Sequence, residues 1–190
     1  MEYSTMIIDN LYLGSFENIR SQIIKEKNIK LVINVGLECE YNTNNYEIEY
    51  HKINIYDNDR ESILDHVDKI VTKINNYLLK EENVFIHCYA GKSRSASFVL
   101  AYLIKYKNMN LTDAFNYVND KRSIYPNIGF MKQLMTYECN IHNLDKSLFN
   151  YTEYLVERIS ETFTTINKDT IQNICLKNNN DLDKILKELL

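Results

Sequence analysis

The chain has 190 residues, a size suited to one domain with a small appendage. Apolar residues make up 45% and charged ones 25%, which excludes a disordered chain, and 4 Gly with 1 Pro exclude collagen-like or proline-rich architecture. With 22 Lys+Arg against 26 Asp+Glu the net charge is −4, so the balance calls for neither nucleic acid nor an anionic membrane as partner.

In chain order, Met6-Ile7-Ile8 and Leu11-Tyr12-Leu13 read as an edge strand or hairpin closed by Gly14. Residues 16–28 place Ile19, Ile23 and Ile24 on one helical face. Leu31–Val35 reads as a buried strand ended by Gly36, and His51–Ile55 as another. Residues 62–80 carry Ile63, Val67, Ile70, Val71, Ile74, Tyr77 and Leu78 as a helical stripe. Val84–His87 is a short buried strand, and 94–106, 111–121 and 129–143 are helical. Strands alternating with helices predict an α/β fold, a central, mostly parallel sheet flanked by helices, over residues 1–145. An all-helical extension, 146–190, follows as three short helices near 147–162, 168–177 and 181–190, with breaks at 166–168 and 178–180. Asp169 and Asp181 sit at helix N-terminal turns. The excess of Asn, including the short tracts at 42–45 and 178–180, reads as background bias in composition.

Met1–Thr5 has neither the basic nor the apolar character of a secretory leader, and no apolar run is long enough to cross a bilayer. Cys39, Cys88, Cys139 and Cys175 show no paired spacing, which disfavours a zinc site or a disulfide framework. The expected setting is a reducing compartment, cytoplasm or nucleus, with no metal and no cofactor.

The strongest chemical signal is Val84-Phe85-Ile86-His87-Cys88-Tyr89-Ala90-Gly91-Lys92-Ser93-Arg94-Ser95. A Cys ends a buried strand, five residues follow, and an Arg opens a helix. A loop of this length, turned by Gly91, can aim the backbone N–H groups of Tyr89, Ala90, Gly91, Lys92 and Ser93 at one point. The helix N-terminus adds about half a positive charge there, and Arg94 adds a planar fork that matches two phosphate oxygens. The cavity fits a tetrahedral dianion with the Cys88 sulfur at its floor, where the same field favours the thiolate nucleophile.

This segment is the HCxxGxxRS signature of the Cys-dependent phosphatases, and the sequence resembles the dual-specificity protein phosphatases. Ile8–Ser15 looks like that family's opening strand and turn, Leu31–Val35 like its second strand, and Tyr125–Leu134 like its late helix entry. The match runs in order over about residues 4–143. The resemblance implies hydrolysis of phosphotyrosine and phosphoserine/phosphothreonine through a phosphocysteine. It assigns Cys88 as nucleophile, Arg94 as phosphate clamp, and Ser95 as a hydroxyl that hydrogen-bonds the sulfur and helps expel it. The leaving group needs a proton donor; the family places it where Asp57 stands, with Asp59 the alternative. His87 is expected to order the loop from behind, and Asn34 and Asn127 to tie neighbouring loops. The deepening loop of the larger tyrosine-specific enzymes finds no counterpart before Leu31, which implies a shallow pocket.

Lys92 departs from the small apolar residue common at its position and adds charge at the rim. That keeps open a second enzyme reading, on RNA 5′ ends or phosphoinositides. A phosphate-binding adaptor with weak turnover is the reading from another class. His51, His66 and His142 are dispersed, and Cys39, Cys139 and Cys175 read as ordinary thiols. Residues 150–190 are similar to a CUE or UBA-like module ending in Leu189-Leu190, which implies ubiquitin as partner; Thr164 stands where that pattern has Pro.

Overall fold

The structure is a computed structural model that describes residues 4–20, 23–40 and 48–190, with the side chains of 19 and 20 excepted. Ile19 of the expected helical face and the tract 42–45 lie outside that description. The chain divides into two compact units, Met1–Leu148 and Phe149–Leu190.

Among the described residues the first unit is built on five strands: β1 (Ser4–Ile8), β2 (Leu11–Ser15), β3 (Ile29–Asn34), β4 (Glu49–Lys52) and β5 (Asn83–Cys88). Their order is β1-β2-β5-β3-β4. β1 and β2 pair antiparallel around Asn10, which takes a left-handed φ of 65°; every other pairing is parallel. β5 lies at the centre, so Val84, Phe85 and Ile86 are buried between two neighbours, as a continuous apolar run in a parallel sheet should be.

Among the described residues this unit has five helices: α1 (Ile23–Glu26), α2 (Leu64–Leu78), α3 (Arg94–Lys107), α4 (Leu111–Lys121) and α5 (Ile128–His142). α3 packs on β5 and β2 and is flanked by α2, α4 and α5, so it is buried nearly all round from Arg94 to Ile104. α2 buries only Val67, Ile70, Val71 and Ile74, the i, i+3, i+4, i+7 stripe read from the sequence. A smaller apolar cluster of Ile29, Val32 and Phe85 is covered by Tyr12, Phe16, Ile24, Ile48 and Tyr50.

Three local expectations change. Residues 16–28 do not form one helix: a 3-10 turn, Phe16–Arg20, precedes the single turn of α1. The Asn18 side chain accepts from Ser15 N at 2.7 Å and tightens the entry, and Asn28 at φ 44° ends the segment. Gly14 does not close β2 but lies inside it. A Cβ there would sit 2.7 Å from the Phe85 ring, and the Gly14 carbonyl passes under Gly91. Finally, β4 covers 49–52 rather than 51–55. Ile53 N still reaches Asn34 O at 2.8 Å, but Ile55 then leaves the ladder, and its carbonyl turns to the Arg94 guanidinium.

Asparagine does work in the backbone that composition alone conceals. Among the described residues, Asn10, Asn28, Asn108, Asn143, Asn179 and Asn180 hold positive φ in a chain with 4 Gly. Asn110, Asn127 and Asn150 each cap a helix by accepting from the N–H three residues on.

The second unit comprises α6 (Tyr151–Thr162), α7 (Lys168–Lys177) and α8 (Leu182–Leu189). Asn167 and Asp181 cap the last two helices. Leu155, Ile159, Ile171, Cys175 and Ile185 are buried, while Leu176 and Leu190 are exposed.

Candidate active site

Cys88 ends β5 and is 1% exposed, at the floor of the turn into α3. Two donors converge on its sulfur: Ser95 Oγ at 3.2 Å and Gly91 N at 3.3 Å. Gly91 adopts φ +70°, and a Cβ on it would lie 2.2 Å from Gly14 O, so the turn requires glycine. Tyr89, Ala90 and Lys92 are exposed around the mouth, and Gly91 and Ser93 are buried.

The loop's carbonyls are each engaged by a partner. Tyr89 O accepts from Phe16 N, Lys92 O from Tyr125 N, and Ser93 O from Ser97 N and Oγ. Ala90 O and Gly91 O accept from the Arg122 guanidinium. Cys88 O lies 3.1 Å from His87 Nδ1; a carbonyl only accepts, so the proton sits on Nδ1. The His87 ring is fully buried between Phe16 and Phe85. Burial, aided by the Lys52 charge and opposed by the Cys88 carbonyl, lowers its pKa to about 4, so the imidazole is neutral. It supports the loop from behind.

Arg94 opens α3 with its side chain 6% exposed. Glu38, absent from the residues singled out in the sequence, engages the guanidinium end-on: Nη1 donates to Oε2 at 2.6 Å and Nη2 to Oε1 at 2.5 Å. Nη1 also donates to Ile55 O at 3.2 Å. The Nε–H has no hydrogen-bond partner among the described residues, although Asp57 Oδ2 lies 3.4 Å away. The edge formed by Nε and Nη2 is thus the one Glu38 does not hold, and the Asp57 carboxylate pairs with it without a hydrogen bond. Burial opposes the Arg94 charge, but the Glu38 hydrogen bond and the Cys88, Glu38 and Asp57 charges outweigh it and raise the pKa. The same hydrogen bond holds the Glu38 carboxyl below its ordinary range.

Glu38 is presented by a loop that Asn34 ties together. Asn34 Nδ2 donates to Cys39 O at 2.6 Å, and its Oδ1 accepts from Gly36 N at 2.9 Å. Lys52 Nζ donates to Cys39 O at 3.0 Å. The Cys39 thiol is pushed up to about 11, chiefly by burial and then by the Glu38 and Cys88 charges.

Asp57 stands at the rim. Its Oδ1 accepts from Ser93 Oγ at 2.6 Å and Asn127 Nδ2 at 2.9 Å. Asp59 is exposed and makes no hydrogen bond or ion pair among the described residues; its backbone lies against Gly129, where a Cβ would meet Asp59 O at 2.2 Å. The 57–61 turn is shaped by Asn58 Oδ1, which accepts from Arg60 N and Glu61 N. The start of α5 staples it in place: Asn127 Nδ2 donates to Asn58 O, and Gln133 bridges Glu61 O and Ile63 N. The structure therefore brings Cys88, Gly91, Ser93, Arg94, Ser95 and Asp57 together, leaves Asp59 outside, and adds Glu38 and Arg122. No local pattern marks those two, because each reaches the loop from a distant segment.

The family profile of the dual specificity phosphatase catalytic domain matches residues 11–140. A protein of Invertebrate iridescent virus 6 named as a tyrosine phosphatase, 123R, is 40% identical over 135 residues, covering 70% of this chain and 91% of that protein. Dual specificity protein phosphatase 8 of Mus musculus is 37% identical over 136 residues, which cover 70% of this chain and only 20% of the mouse protein. Among solved structures, human DUSP28 superposes with a TM-score of 0.71 at 22% identity, covering 75% of this chain and 97% of that one. The human tyrosine phosphatase-like serine/threonine/tyrosine-interacting protein gives 0.67 at 30% identity over 74% of this chain and 98% of that one. A matched catalytic-domain profile over more than half the chain, on a protein-tyrosine-phosphatase-like sheet, establishes that this chain belongs to the dual specificity phosphatase family of protein phosphatases.

Proposed function

We propose that this chain hydrolyses phosphate monoesters on phosphoprotein side chains, phosphotyrosine and phosphoserine/phosphothreonine alike, through a phosphocysteine. The observation that carries the reading is the convergence of Ser95 Oγ and Gly91 N on a buried Cys88 sulfur beside an Arg94 guanidinium whose Nε–H makes no hydrogen bond among the described residues.

In the first step the Cys88 thiolate attacks phosphorus and the bond to the ester oxygen breaks. The inward amides and the Nε/Nη2 edge of Arg94 hold the nonbridging oxygens as charge shifts onto them. Asp57 delivers its proton to the departing alkoxide or phenoxide, and its two ties to Ser93 and Asn127 set its reach. In the second step water attacks phosphorus and gives its proton to Asp57. The S–P bond breaks, phosphate leaves, and Ser95 Oγ donates to the returning thiolate. Glu38 keeps the end of the guanidinium fixed so that only the edge turns to substrate.

The reading is tested with a small aryl phosphate and a phosphopeptide set. Wild type should turn both over, and Cys88→Ser should bind phosphopeptide without releasing phosphate. Turnover that persists in Cys88→Ser contradicts the mechanism. The exposed Lys92 favours a second reading, on phosphoinositides or RNA 5′ ends; faster turnover of either than of phosphopeptides would select it. A reducing compartment, cytoplasm or nucleus, is the proposed setting because it keeps Cys88 a thiol.

The same proposal covers Phe149–Leu190 as a CUE/UBA-like module that binds ubiquitin. Three short capped helices and the exposed Leu176 and Leu190 support it. An NMR titration should shift signals of α7 and α8; unchanged spectra at millimolar ubiquitin would remove that partner.

A further inference from the structure

We propose that Arg122 is a positioning residue for the phosphate loop, which turns the Gly91 and Lys92 amides toward the bound oxyanion; this rests on the phosphatase reading above. In a trans peptide unit the C=O and the following N–H point in opposite directions. An amide can therefore be aimed into the pocket only if the carbonyl before it is held on the outside. Along this loop the carbonyls of Tyr89, Lys92 and Ser93 are held by backbone N–H groups, which mutation of a side chain leaves in place. Those of Ala90 and Gly91 are held by one side chain, Arg122. Its Nη2 donates to Ala90 O at 3.2 Å and its Nε to Gly91 O at 3.0 Å.

The two peptide units so fixed are those whose N–H groups belong to Gly91 and Lys92. The Gly91 amide is the one that reaches the Cys88 sulfur at 3.3 Å. It is also the unit with the least intrinsic restraint, because Gly91 carries no side chain and sits at φ +70°. Arg122 itself is well fixed. It follows the last residue of α4 with its N–H still bonded to Val118 O at 2.9 Å, while its own backbone turns extended and swings the side chain toward the loop. A third contact, Nη1 to Thr5 Oγ1 at 3.5 Å, anchors the far end of the guanidinium on β1. The planar fork spans two successive carbonyls, which a lysine ammonium on one point cannot do.

The test compares wild type, Arg122→Met and Arg122→Lys by calorimetric binding of tungstate, kcat and KM on an aryl phosphate, and thermal unfolding, each scored per folded molecule. Arg122→Met should weaken tungstate binding about tenfold or more and lower kcat/KM by at least as much. Arg122→Lys should recover part of both, and guanidinium ion at low millimolar concentration should partly rescue Arg122→Met. The proposal is overturned if the Met variant stays within twofold of wild type in both quantities. It is equally overturned if the unfolded fraction accounts for the whole loss. Tungstate binding needs no turnover, so a wild type that binds it without hydrolysing ester contradicts the catalytic reading alone and leaves the Arg122 comparison scored.

Discussion

The loop from Cys88 to Arg94 and the segment from Val35 to Glu40 meet at one guanidinium, but they reach it by different routes. In the first, the proposed nucleophile Cys88, the turn, the amides and the Arg94 cation are consecutive in the chain, so strand, loop and helix entry create the geometry locally. In the second, Glu38 acts only because β3 and β5 lie side by side and Asn34 pins the following turn. The comparison separates what performs the reaction from what holds the performing groups still. Removing a member of the first should abolish chemistry; removing a member of the second should degrade it by degrees.

The largest expected effect is that of Cys88→Ser, which should lower kcat by at least about 10⁴-fold while tungstate still binds. A loss of only tenfold would erase the distinction between the two regions. Next comes Asp57→Asn. It should cost roughly 10²-fold on alkyl phosphates and much less on an aryl ester with a good leaving group. Equal losses on both substrates would remove Asp57 as the acid, and a larger loss in Asp59→Asn would transfer the role.

Support from behind the loop should show in stability rather than rate. His87 is held near a pKa of about 4 against 6.5 in the unfolded chain. As pH falls below 6.5 the unfolded chain takes up a proton first, so stability is full above that value and drains toward pH 4. Denaturant unfolding should show roughly 2 kcal/mol less stability at pH 5 than at pH 7 from this residue. His87→Gln should flatten that slope; an unchanged slope would place the buried ring elsewhere. The smallest effect belongs to Glu38→Gln, which keeps an acceptor for Arg94 but loses the charge. KM should rise about tenfold with kcat little changed, because Glu38 is partly exposed and its pairing is screened. A collapse of kcat to the level of Cys88→Ser would move Glu38 into the reacting set.

How much of this was legible follows the same division. β5, the loop and α3 announced themselves because their chemistry is contiguous, and α2 because one stripe at helical period has a single solution. Asp57 and Ser95 were both assigned through resemblance, since neither an aspartate in a loop nor a serine in a first helical turn declares a role by itself. Glu38 and Arg122 were not legible, since an isolated charge does not say which distant loop it will meet. The 16–28 segment misled because three isoleucines at helical spacing, Ile19, Ile23 and Ile24, outweighed Asn18, whose side chain closes a tight turn instead. The strand at 51–55 ended early because the Ile55 carbonyl serves a buried cation rather than a neighbouring strand. The asparagines looked like compositional bias until their φ values and caps showed them replacing glycine and serine.

The most direct test is to trap the covalent species. Wild type and Ser95→Ala, acid-quenched during turnover of an aryl phosphate, would be digested and analysed by mass spectrometry. The account predicts one phosphoryl group on the peptide containing Cys88, with more of it in Ser95→Ala, where release of the sulfur is slowed. Turnover with no label on that peptide, or with the label on any other residue, would contradict it.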